Sequence, residues 1–321
     1  MRAVQQRSGS MSQRVVVTGM GAVTPVGNDV PSLWESLCSG TSGVDRIQAF
    51  DVADYPSKIG AEVKDFDPAC YVDAKEARRT DRVILLALAA SQMAMADSGL
   101  DLQSVDLERC GTIIGSGIGG LRFLENEHAK LVQRGPSRVS PFLIPMMISD
   151  MSAGRVSIQH GLKGPNYALV SACASGAHAI GDAYMGIKAG MMDVALTGGA
   201  EATITPLALA GFCNMKALST RNDTPRKASS PFDRKRDGFV MGEGSGMVVL
   251  ESLEHAVARN ARIYAEMVGY GATGDAHHIS QPCPQGEGAR RAMTMALRSA
   301  NLEPSAIDYI NAHGTSTPFN D

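Results

Sequence analysis

The sequence predicts an α/β protein in which helices pack on a buried sheet. Strand-like apolar runs alternate with helix-length segments from Arg14 to Asn311, the pattern of layered α/β architecture. The composition agrees: 44% hydrophobic against 20% charged residues is that of a globular chain. The 34 glycines and 17 methionines beside a single tryptophan indicate a tightly turned interior packed with small side chains.

Residues 14–18 (RVVVT) read as a buried strand closed by a turn at Gly19-Met20-Gly21. Residues 31–39 form a helix, and 48–73 an irregular stretch broken by Pro56 and Pro68. A helix over 82–97 ends at Gly99. Its apolar run, 83–96, is interrupted by Ser91 and Gln92 and is too short to span a bilayer. Residues 110–114 form a strand, followed by a Gly-rich turn (115–120), a helix over 121–134 and another over 143–160. A strand over 167–171 leads into a small-residue helix over 174–189, then a short strand over 194–197. The stretch 219–237, with six basic and three acidic residues, is a surface loop. Strands over 248–251 and 265–270 flank a helix near 253–260; a helix over 286–301 and a strand over 307–311 follow.

The strand–helix pattern restarts near Asn260. This divides the chain into a leader (1–13), a large unit (14–260) and a shorter second unit (261–321). The leader carries Arg2 and Arg7 with no acid, weakly like a transit segment, although Met11 also marks a plausible start to an unstructured extension. A formal charge of −3 gives no global field for nucleic-acid binding. The six cysteines lack any paired spacing, so they read as reduced thiols in a cytoplasmic setting.

Two constellations can carry chemistry. In Val170-Ser171-Ala172-Cys173-Ala174-Ser175-Gly176 a strand meets a helix of small residues with a cysteine at the junction. There the helix dipole favours the thiolate, and a backbone N–H can serve as half of an oxyanion hole. A small buried Cys in a packed helix is the competing reading. Asn311-Ala312-His313-Gly314-Thr315-Ser316-Thr317-Pro318 places a histidine and three hydroxyls after the last predicted strand, where α/β proteins gather their sites. A capping turn explains that segment equally well. Cys173 and His313 together suit acyl transfer by a thiol nucleophile.

VSACASG, GGAE (198–201), ALSTRND (217–223), RDGFVMGEGSG (236–246) and NAHGTSTP together resemble the β-ketoacyl-acyl-carrier-protein synthases of the elongating, KAS II type. The resemblance runs over nearly all of residues 14–321. It implies a thiolase-like fold, a five-layered αβαβα sandwich of two similar halves, of which the second would be incomplete here. It also implies a homodimer that needs no cofactor and no metal, works away from membranes and nucleic acid, and has acyl carrier protein as its partner. The activity implied is the decarboxylative condensation of an acyl-Cys thioester with malonyl carried on that protein.

By motif, Cys173 is the nucleophile, and His313 the first of two histidines that stabilise the enolate. Thr315 and Thr317 hold the pantetheine arm, while Phe212 and Ile118 line the acyl pocket. Lys75, Arg78, Arg79, Arg138 and Lys216 match positions that dock the acidic carrier, and Asp275 matches a structural or ion-binding acid. The family continues past HGTSTP with a second histidine, a lysine and an FGG loop. None of these follows within the present 321 residues, so impaired condensation is expected. The remaining alternatives are a polyketide-type ketosynthase and a non-catalytic partner subunit. A dinucleotide site at Gly115–Gly120 is disfavoured, because no acid lies about 20 residues further on.

Overall fold

The strand begun by RVVVT does not stop at the glycines. In a computed structural model, which describes residues 13–321, Val15–Val23 (β1) is one continuous strand with a register shift between Val17 and Gly19. The reason lies on the helix above it. A Cβ on Gly19 would come within 2.3 Å of the Ala94 carbonyl oxygen, and one on Gly21 within 2.0 Å of the Ala90 oxygen. The glycine pair that reads as a turn is a contact surface, and only bare backbone lets the helix lie this close. The expected leader lies outside the described residues apart from Gln13.

Val30–Cys38 (α1) follows, N-capped by Asp29, whose carboxylate accepts the Ser32 N–H. Asp45–Arg46 (β2) and Ile59–Gly60 (β3) pair in a small hairpin inside the stretch expected to be irregular. After the short Ala74–Ala77 (α2) comes Arg82–Ser98 (α3), which is buried through most of its length and ends on the left-handed Gly99. Cys110–Gly115 (β4) leads to Leu121–Arg134 (α4).

The single helix expected over 143–160 is two, Leu143–Met147 (α5) and Met151–His160 (α6). Between them Ile148 is extended, and the Met147 carbonyl accepts the Gly120 N–H at 3.0 Å. The Gly-rich turn after β4 thus takes up a carbonyl that a continuous helix would have used. Asn166–Leu169 (β5), Ser175–Lys188 (α7) and Val194–Glu201 (β6) come next, β6 running through Gly198-Gly199 instead of stopping before them. Pro206–Asn214 (α8) was not evident from the sequence.

Gly244–Ser252 (β7), Leu253–Ala258 (α9), Ala265–Met267 (β8) and Glu287–Ala300 (α10) complete the elements. The expected boundary near Asn260 falls in the turn between α9 and β8. The strand expected over 307–311 does not form, because no neighbouring strand stands beside that exposed segment among the described residues.

The main sheet has the order β5-β4-β6-β7-β1-β8, with β5, β4 and β6 parallel and the rest antiparallel. On one face α3 and α6 bury Leu86, Leu88, Ala90 and Val156 against Ile114, Leu196 and Val249. On the other, α7 sets Ala179, Ala183, Tyr184 and Ile187 against Ile113, Ala195 and Leu250. The result is an α/β/α sandwich. Each fully buried aliphatic side chain in it contributes about 1.5–3 kcal/mol from apolar burial.

Candidate active site

The parallel strands β5, β4 and β6 end together on one edge of the sandwich, and the functional residues collect there. β5 gives way at Ser171 to a tight turn over Ala172–Ala174, and α7 starts at Ser175. Cys173 therefore sits just ahead of the helix, at its positive end. Ala172 has φ +50°, a left-handed conformation costly for a residue with a Cβ, so the turn is held under strain and pushes the thiol outward. The Ser175 hydroxyl steadies it, donating to the Ala172 carbonyl at 2.7 Å and accepting the Ser171 N–H at 2.9 Å. The expected small residues have a packing role as well. A Cβ on Gly115 would fall 2.2 Å from the Ser175 carbonyl, so β4 and α7 touch backbone to backbone beneath the nucleophile.

His313 stands against the thiol. Its hydrogen bond to Cys173 is the chief reason that the thiol lies below its ordinary range and that the imidazole lies above its own. Burial opposes both shifts, and the charge of Asp321 adds to the rise at His313. The pair is thus biased toward thiolate and imidazolium. Cys173 and His313 are 140 residues apart in sequence, and the fold brings them together.

Sequence reasoning missed what holds His313 in place. The charged stretch taken for a surface loop wraps the 314–321 segment. Ser316 is fully buried with φ +64°; its hydroxyl accepts the Ser230 N–H at 3.0 Å, and its carbonyl accepts the Gly238 N–H at 2.9 Å. Arg236 Nε donates to the Thr317 carbonyl at 3.0 Å. Asp321 accepts the N–H groups of Ser316 and Phe232 at 2.8 and 3.1 Å. Thr315 and Thr317 face each other, their hydroxyl oxygens 2.8 Å apart. The only sequence signal was the density of charge and hydroxyl groups in both segments.

A third titratable group was present in the GGAE motif without an assigned role. Glu201, at the end of β6, accepts the Gly117 N–H at 2.8 Å and the Ser116 hydroxyl at 3.3 Å. Burial pushes its carboxyl up despite these bonds, and its charge acts on Cys173. Ile118 lies in the same loop, 42% exposed. Phe212, on α8, is half-buried and packs edge-to-face on Phe239 at 5.2 Å. It belongs to a cluster with Ile204, Leu209, Leu218 and Met241.

The cations expected to dock a carrier are all exposed. Lys75 and Arg79 line a cleft of about 240 Å³ with Arg155, Phe142 and Met146. Arg78, Arg138 and Lys216 do not line it. Arg155, which the sequence did not single out, pairs there with Glu76. Asp275 accepts the Cys283 N–H at 2.8 Å and lies against Gly288 at the start of α10. No cluster of metal-binding side chains occurs among the described residues. His178, inside α7, is packed, its Nδ1 2.7 Å from the Ser171 hydroxyl and its ring against Tyr270.

The family model described as "Beta-ketoacyl synthase, N-terminal domain" matches residues 12–256, and its C-terminal counterpart matches 264–321. The chain belongs to the β-ketoacyl synthase family.

A 3-oxoacyl-[acyl-carrier-protein] synthase 2 from Synechocystis sp. is 52% identical over 309 residues, 96% of this chain and 74% of that protein. The crystal structure of a β-ketoacyl synthase from Burkholderia phymatum superposes with a TM-score of 0.88 at 38% identity, covering 96% of this chain and 76% of that one. A ketosynthase bound to a hexaketide, in complex with its type II polyketide acyl-carrier protein, gives 0.88 at 32% identity, covering 97% and 75%. The fold is the thiolase-like one of these synthases, and the chain spans about three quarters of its relatives' length.

Proposed function

We propose that the protein is a 3-oxoacyl-acyl-carrier-protein synthase of fatty acid elongation, with Cys173 as its acyl-bearing nucleophile. The carrying observation is the Cys173–His313 pair at a strained turn ahead of α7, because the imidazole lowers the thiol's pKa and so favours the nucleophilic thiolate. In the first half-reaction the thiolate attacks the acyl thioester carbonyl. The carrier's thiolate leaves and takes a proton, and the acyl group stays on Cys173. The Cys173 N–H at the turn is suited to the oxyanion.

In the second half-reaction the malonyl thioester loses carbon dioxide. His313 donates a hydrogen bond to the resulting enolate oxygen, and the enolate carbon attacks the acyl carbonyl. Cys173 leaves as thiolate, and the product stays on the carrier. Thr315 and Thr317 suit the amide-bearing pantetheine arm, and Ile118 and Phe212 the acyl chain. Among the described residues, His313 is the histidine whose hydrogen bond acts on the thiol.

The fatty-acid reading is favoured over the polyketide one by 52% identity against 32%. Retention of Cys173 speaks against a purely non-catalytic partner. An acidic carrier suits Lys75 and Arg79, which line a cleft with Asp73, Glu76 and Arg155; Arg155 is paired with Glu76, so those two exposed cations are what would steer the encounter. Among the described residues β5 is an edge strand of the main sheet, and an edge of this kind suits pairing with a second copy in a homodimer. Six free thiols fit a reducing cytoplasm, and no described helix is long and apolar enough to cross a membrane.

Intact-mass spectrometry after mixing with acyl-loaded carrier protein tests the proposal. One acyl adduct is expected, lost in Cys173→Ala. No adduct, or one that survives this substitution, would overturn it.

A further inference from the structure

Glu201 is a half-buried acid beside the nucleophile that the acyl-transfer steps do not use. Its carboxylate reaches from the end of β6 to the Gly-rich loop after β4. There it accepts the Gly117 N–H at 2.8 Å and the Ser116 hydroxyl at 3.3 Å, with the Ile118 N–H as a further donor. Ser116 in turn accepts the Gly119 N–H at 3.1 Å, so a single side chain gathers the whole turn. The fit leaves no slack. A Cβ on Gly117 would lie 2.9 Å from Glu201 Oε2 and 3.5 Å from the Ala172 carbonyl oxygen, which belongs to the strained turn that carries the thiol.

We infer that Glu201 is a positioning residue that clamps the 116–118 loop against the Ala172-Cys173 turn. By doing so it fixes Ile118, the residue proposed to meet the acyl chain, and sets which chain lengths reach the thiol. This rests on the proposed acyl-transfer function, in which Ile118 meets the chain. The mechanism is geometric. Several donors converge on one desolvated acceptor, and such charge-assisted bonds are the strong ones. The loop is anchored at its ends, where the Ser116 N–H donates to the Leu169 carbonyl and the Gly120 N–H to the Met147 carbonyl, so these bonds act on residues 117–118 between them, where Ile118 is 42% exposed and gains little from burial.

The test uses thiol alkylation, which needs no acyl-transfer activity. Rates at Cys173 are measured by mass spectrometry with iodoacetamide and with its N-dodecyl derivative. The ratio of the two rates reports how well the pocket accepts a long chain. Glu201→Ala is expected to change that ratio roughly tenfold, because it removes charged-acceptor hydrogen bonds. Glu201→Gln keeps one acceptor oxygen for Gly117 and should stay within about threefold of the parent ratio. Gly117→Ala, with the carboxylate intact, should reproduce the Glu201→Ala change by pushing the loop off it, which covers the case where Glu201→Ala does not fold.

General damage would slow both reagents equally and leave the ratio unmoved. An unchanged ratio in folded Glu201→Ala or in Gly117→Ala overturns the inference, as does a loss in Glu201→Gln equal to that in Glu201→Ala. Failure of the acyl-transfer proposal would appear separately, as a missing acyl adduct with these ratios still measurable.

Discussion

The hydroxyl of the fully buried Ser316 accepts the backbone N–H of the half-buried Ser230 at 3.0 Å, across 86 residues of sequence. This bond ties the charged loop to the segment that presents His313. Removing it in Ser316→Ala leaves a partly desolvated N–H without a partner, at a cost of about 1–3 kcal/mol. A lowered melting temperature is expected, with Cys173 alkylation shifting to higher pH as His313 loses its fixed position. An unmoved alkylation profile would show that the clasp does not position the imidazole.

His313→Ala tests the pair itself. The imidazole hydrogen bond is the main cause keeping the Cys173 thiol low. The thiolate dominates above the thiol's midpoint and is lost below it. Without the imidazole, the midpoint of iodoacetamide alkylation should rise toward that of an ordinary cysteine, near 8.5. A midpoint at or below the parent's would refute the assignment of His313.

The fully buried Glu251 gives the fold an acid-sensitive joint. Burial by itself would push its carboxyl up, but bonds from Arg259, Thr18 and His255 outweigh this and hold it below the ordinary range. A carboxylate depressed on folding stabilises the protein above its unfolded value, near 4.3, and loses that contribution as pH falls through the lower folded value. Glu251→Gln should therefore flatten the acid limb of stability against pH. Arg259→Met should cost about 3–5 kcal/mol at neutral pH, because it leaves a buried charge without its main partner. Urea unfolding between pH 3 and 7 checks both, within roughly that carboxylate window.

Gly115→Ala probes the platform beneath the nucleophile. The new methyl would meet the Ser175 carbonyl at 2.2 Å, and backbone cannot swing aside as a side chain can. Moving α7 off β4 is expected to cost about 1–3 kcal/mol or more. It should also displace Cys173, so alkylation slows together with the loss of stability. Unchanged thermal unfolding and alkylation would contradict the backbone contact.

The chemistry was legible where it is local. VSACASG and NAHGTSTP each occupy a few consecutive residues, and the alternation of apolar runs with helix-length segments set out most elements of the sheet and its covering helices. The glycine errors share one cause. Gly19, Gly21, Gly198 and Gly199 all lie within strands, yet a sequence shows a glycine without showing what presses on it. The same holds for the helix expected over 143–160, which is interrupted where Gly120 claims the Met147 carbonyl. The strand expected over 307–311 failed for a different reason: a strand needs a partner, and apolar alternation cannot supply one.

The sequence by itself determined the layered α/β class, the family and the identity of the two reacting side chains, because these follow from short-range pattern and motif. Only the tertiary structure decided that His313 meets Cys173, that a loop read as solvated surface clasps the histidine segment, and that Glu201 reaches the loop beside the thiol. Those facts rest on hydrogen bonds between residues 84 to 86 positions apart and on a contact spanning 140 positions. Chain neighbours cannot encode such contacts. They exist because β4, β5 and β6 are packed parallel and release their ends on one side of the sheet.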